Sequence, residues 1–130
     1  MRYDPDHDPN PENWLDMDEA ERTELVRIYH KKRGIRLPNL LLHAAFHVTV
    51  ENQIALGDEL PVKRKLTELV KEGLDRHDAI HAIGSVLAEH MYYIMKGTSK
   101  DEDPNPKYFQ ALSTLTARSW REHYSSENDP

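Results

Sequence analysis

The sequence predicts an all-α fold, a single antiparallel helical bundle of about five helices with an extended, Pro/Asp-rich N-terminal arm. Three observations predict it. Apolar residues recur at helical spacing in five segments; Pro, Asp, Asn and Gly punctuate the segment ends; and nothing alternates at period two over a strand's length or offers an Asn-Gly or Asp-Gly hairpin turn. At 130 residues the chain suits one core, so 1–130 reads as one domain. Residues 1–15, rich in Pro, Asp and Asn, read as an arm, and 124–130 as a tail, both peripheral or disordered.

The first helix is expected from an Asp16 or Asp18 cap to Lys32, with Leu25, Ile28 and Tyr29 on one face and Gly34 as its stop. The Lys31-Lys32-Arg33 run at its end complements the helix dipole. A second helix spans about Leu40 to Leu56, between Pro38-Asn39 and Gly57, and its apolar residues surround it as in a central helix. Pro61 opens a third, with Leu66, Leu69 and Val70 on one face and Gly73 at its end. Lys63-Arg64-Lys65 near its start reads as a solvated face, with a partner contact as the other reading.

Asp75 can cap a fourth helix running to about Lys96, before Gly97. Gly84 and Ala88 continue the ridge of His77 and His81, as small residues allowing a neighbouring helix to approach. After the polar loop Lys100-Asp101-Glu102-Asp103-Pro104, Asn105-Pro106 opens a last helix through about His123, with Phe109, Leu112, Leu115, Thr116 and Trp120 as its stripe.

Composition narrows the function classes. Lys and Arg total 17 against 23 Asp and Glu, a balance with no general attraction for nucleic acid or an anionic membrane. Absence of cysteine removes disulfides, thiolate metal sites and a cysteine nucleophile. With neither a signal sequence nor a membrane-spanning run, the expected location is cytoplasmic. No Ser-His-Asp order, phosphate loop or dinucleotide fingerprint is present either.

Histidine is the outlier, with 8 copies. Residues four apart on a helix share a face, so His43 with His47, and His77 with His81, each present two imidazoles in one direction, and Glu51 continues the first row. If the two helices pack together, His43, His47, His77, His81 and Glu51 converge as candidate metal ligands. Nitrogen donors favour zinc, iron, nickel or copper over calcium or magnesium. Zinc or iron is the candidate ion, with no cofactor as the other reading. Asp78, Glu89 and His90 are candidates to support the ligands from behind, and His30 is read as supporting or core. His7 and His123 read as incidental.

Three resemblances bear on these residues. His77-Asp78-Ala79-Ile80-His81-Ala82-Ile83-Gly84 resembles the zinc-protease pattern His-Glu-x-x-His-x-x-Gly, with departures at Asp78 and at Leu87, where some zinc proteases carry a third histidine. The spacings His47 to Glu51 and His77 to His81 resemble the ligand rows of hemerythrin-like bundles; this is a geometric analogy, because the further ligands those proteins need have only His30 and His123 to stand in for them. Most of the chain, through Leu42-His43-Ala44-Ala45-Phe46-His47-Val48-Thr49-Val50-Glu51-Asn52-Gln53 and the segment from Glu72 to His90, resembles a family of small bacterial all-helical proteins catalogued as a domain of unknown function. That resemblance implies a bacterial origin and a helical domain bearing both histidine helices, and it implies no activity.

The leading expectation is therefore a helical protein that binds a first-row transition metal through paired histidines on two facing helices. The alternative is a non-enzymatic interaction or structural module, with a homodimer as one form, whose histidines belong to a hydrogen-bonded core. The consecutive apolar residues Met91-Tyr92-Tyr93-Ile94-Met95 support it, since they cannot all face one core. No reaction or substrate follows from either.

Overall fold

The computed structural model describes residues 3–32, 40–95 and 105–124, and among them are seven α-helices, one 3₁₀ turn and no strand. In chain order these are α1 (Pro11–Asp16), α2 (Glu19–Lys32), α3 (Leu40–Ala55), the 3₁₀ turn (Gly57–Glu59), α4 (Val62–Lys71), α5 (Arg76–Met95), α6 (Asn105–Thr114) and α7 (Ala117–Tyr124). The protein is all-α. The expected stops at Gly34 and Gly97, the loop from Lys100 to Pro104 and the tail beyond Tyr124 lie outside the described residues.

Local chemistry sets the helix ends. Asp18 caps α2, its carboxylate accepting from the Glu21 N–H at 2.9 Å, and Asp75 does the same for α5, accepting from Asp78 at 2.7 Å. α4 ends where Gly73 takes φ 108°, and the Leu74 N–H reaches back to the Leu69 carbonyl at 3.2 Å. α3 is the hub, packed against α1, α2, α4 and α5.

Two apolar cores lie along α3. The larger gathers Val50, Leu69, Ile80, Ile83, Leu112 and Trp120 from α3 to α7. Each fully buried aliphatic side chain there contributes about 1.5–3 kcal/mol. The smaller gathers Tyr3, Trp14, Val26, Ala44 and Val48. Trp14 is wholly buried and donates its indole N–H to Asn52 Oδ1 at 2.9 Å.

Four expectations need correction. The N-terminal segment is not peripheral at Tyr3, Pro5 and Trp14, which are buried, and Asn10-Pro11 starts a short helix there by accepting from the Asn13 N–H at 3.0 Å. The last helix is two. It breaks at Leu115-Thr116, where Thr116 and Ser119 exchange backbone-to-hydroxyl hydrogen bonds of 3.0 Å in each direction and so start α7. Lys65 is not on a solvated face: it is buried and donates to the Leu115 carbonyl at 2.9 Å, satisfying an acceptor exposed by that break, while Lys63 and Arg64 are exposed. No close helix approach occurs over Gly84, since no described atom outside its own helix backbone and chain neighbours lies within 4 Å of the place a Cβ would take.

Candidate metal centre

Where α2, α3 and α5 meet, five histidines face one another. His30 comes from the last turn of α2, His43 and His47 from α3, and His77 and His81 from α5. Ring centroids are 4.3 Å apart for His77 and His81, 5.0 Å for His47 and His81, and 4.9 Å for both His30 with His47 and His43 with His81. His30 and His47 are buried, at 0% and 2% exposure, and the other three are half-buried. The cluster is thus closed at His30 and His47 and reaches the surface past His43, His77 and His81.

Hydrogen bonds fix where the ring protons lie. Nδ1 of His30 stands 2.9 Å from the Val26 carbonyl, which only accepts, so Nδ1 carries the proton and Nε2 presents its lone pair. That lone pair faces Nε2 of His43 at 3.0 Å, and His43 therefore donates. His47 follows the same logic through a tyrosine. Tyr3 donates its one hydroxyl proton to Glu51 Oε2 at 2.6 Å, so its oxygen accepts from Nδ1 of His47 at 3.1 Å. Nε2 of His47 then has a lone pair as well, and Nε2 of His81 donates to it at 3.0 Å.

Behind His47 the chain of bonds continues to a charge pair. Both oxygens of Glu51 accept from Arg76, Oε2 from Nη1 and Oε1 from Nη2, each at 2.8 Å. Arg76 also donates to the Pro5 carbonyl at 2.8 Å and to Asp8 at 2.7 Å, which ties the N-terminal segment to the start of α5. Burial opposes the Arg76 charge, but the hydrogen bonds and charge of Glu51 hold its pKa above the usual value. Burial first, then Glu51, pushes the Tyr3 hydroxyl well above its ordinary range, so it stays protonated.

Four of the five imidazoles, those of His30, His43, His47 and His81, are held neutral. Burial is the main cause for His30, His43, His47 and His81; neighbouring imidazoles add to it for the last three, lowering His43 to about 4 and His81 to about 2 and His47 well below its ordinary value. Folded-state pKa values depressed below 6.5 give stability that is complete above 6.5 and lost on acidification, since the unfolded chain then takes up protons the fold refuses. The loss from His43 is complete near pH 4 and that from His81 extends toward pH 2. Chelator-treated protein is accordingly expected to melt at least roughly 5 °C lower at pH 5 than at pH 7.5. A melting temperature that is flat or higher at pH 5 would contradict these depressed values.

One nitrogen from each of His30, His47, His77 and His81 lies within 4.8 Å of the other three. Tetrahedral bonds of 2.0–2.1 Å set nitrogens about 3.3 Å apart, so modest ring movement closes the set around an ion. Of the expected ligands, His43, His47, His77 and His81 do come into one space. Glu51 is turned to Arg76 and Tyr3, with both oxygens engaged. Among the supporting candidates, Asp78 sits in the first turn of α5 beside His77, its N–H on Asp75. Glu89 is exposed and His90 packs on Tyr108 with centroids 5.8 Å apart, about 13 Å beyond His81 along the helix, so neither supports the cluster. Sequence reasoning underrated His30 and missed Tyr3 and Arg76; the last two reach the site across 44 and 25 residues, separations that no local spacing encodes.

Fold and site together define an all-α protein with a partly buried histidine cluster at the junction of three helices. Residues 7–125 match the family described as Domain of unknown function (DUF1841), and the chain belongs to that family. No curated protein and no solved structure matches it. Among the described residues, no helix is long and apolar enough to cross a membrane.

Proposed function

We propose that this protein binds one first-row transition-metal ion, zinc or iron foremost, through His30, His47, His77 and His81. The observation that carries the reading is the mutual approach of those four nitrogens. Their chemistry supports it: neutral imidazoles suit these ions, and the two most buried rings each have their Nδ1 proton committed elsewhere, leaving Nε2 to ligate. Glu51 acts in this reading through Tyr3, orienting His47, and is not itself a ligand. The alternative of a purely hydrogen-bonded core accounts for the pairs His30–His43 and His47–His81, but gives no reason for five imidazoles to share one space, where each would be costly to charge. No reaction is assigned to the site.

X-ray absorption on untagged protein loaded with one equivalent of zinc tests the reading. The expected result is a nitrogen shell at about 2.0–2.1 Å with the outer-shell pattern of several imidazoles. An oxygen-dominated shell without imidazole scattering would contradict it.

A further inference from the structure

Given the metal reading above, the charges and ring protons of the same cluster bear on what else binds there. The four converging donors are all imidazoles, which ligate an ion as neutral groups, and no carboxylate belongs to the set. Glu51 is the one buried carboxylate among the described residues, and its charge is already matched by Arg76 at 2.8 Å on both oxygens. A divalent ion held there would keep its full charge in a mostly desolvated site, and charge that is not balanced in such surroundings is costly.

The proton count points to the same place. His30 has its Nδ1 proton on Val26, so His43 donates Nε2–H to the His30 lone pair. Once that lone pair goes to an ion, the His43 N–H loses its acceptor; the His81 N–H on His47 loses its own in the same way, but His81 is itself a ligand and must either move that proton to Nδ1 or ligate through Nδ1. The His43 N–H is left half-buried, next to the ion, on the side where the cluster reaches the surface. Among the described residues, a donor left without an acceptor beside a cation with no carboxylate in its ligand set defines one kind of missing group: a small anion that ligates the ion and accepts from His43.

We propose that the loaded site takes a small monoanionic nitrogen- or oxygen-donor ligand as its exogenous partner, with His43 as the hydrogen-bond donor that positions it. His43 thereby has a role distinct from the four ligands. The arrangement gives the protein a ligand-binding function beyond holding a metal.

Cobalt(II) and azide are suitable probes, because cobalt bands report both coordination and ligand exchange. Cobalt added to the metal-free protein should give ligand-field bands, and azide should shift them in a saturable way. His43→Phe should retain cobalt but bind azide roughly tenfold more weakly, the loss expected for one hydrogen bond to a charged group, whereas His43→Gln, which restores an N–H donor, should recover most of the affinity. Cobalt bands that azide does not move, or equal azide affinity in His43→Phe and the parent, would overturn the anion proposal while leaving the metal reading standing. Failure to take up cobalt at all would overturn both.

Discussion

Replacing Arg76 with alanine is expected to cost about 3–5 kcal/mol of folding stability, as for removing one partner of a buried ion pair. The guanidinium is 9% exposed and meets a carboxylate that is 1% exposed, through two parallel hydrogen bonds. Deleting it leaves Glu51 charged and buried with only Tyr3 to bond. It also removes two donors that hold Pro5 and Asp8, so the segment carrying Tyr3 loses its anchor to α5. Urea unfolding of Arg76→Ala beside the parent measures the loss, and the double variant Arg76→Met with Glu51→Gln should recover part of it, since the uncompensated charge is then gone. A loss under about 1 kcal/mol would mean that water screens the pair as it does an exposed one.

That charge pair also shows where sequence reading reached its limit. The i,i+4 rows of His43 with His47 and His77 with His81 were legible because helical geometry alone puts them on common faces, and the apolar surround of α3 marked it as central. What could not be read was which way Glu51 would turn. It continues the His43–His47 row, and spacing alone makes it a ligand; the guanidinium of Arg76, adjacent to His77 in sequence, claims it instead. His30 is a lone histidine at the end of α2 with no partner at helical spacing, and only the packing of α2 on α3 brings it to His43. Tyr3 lies in a segment whose composition argues against burial, and it is buried because Arg76 and Glu51 supply the polar partners that such a segment lacks. The break between α6 and α7 was legible in principle, since Thr116-x-x-Ser119 can form a reciprocal cap, but the apolar stripe through Leu112, Leu115 and Trp120 runs past it unbroken.

The other large effect expected is the response of the metal-free protein to metal. A ligand that binds only the folded state stabilises it by RT ln(1 + [L]/Kd), which reaches about 4 kcal/mol at a thousandfold excess over Kd. For a chain of this length that corresponds to a rise in melting temperature on the order of 10 °C or more. The folded protein already holds the four donors within 4.8 Å of one another, with the rings of His30, His47 and His81 neutral, so little of the binding energy is spent on assembly. Replacing His47 and His81 together with alanine removes half of the set from two different helices, and that variant should melt at the same temperature with and without zinc.

Whether four imidazoles from three helices make one binding site comes down to metal content. Untagged protein, stripped with chelator, offered zinc and dialysed, should retain one zinc per chain and melt higher, and His47→Ala with His81→Ala should retain none. A parent protein that emerges metal-free, with its melting temperature unchanged by zinc, would contradict the account.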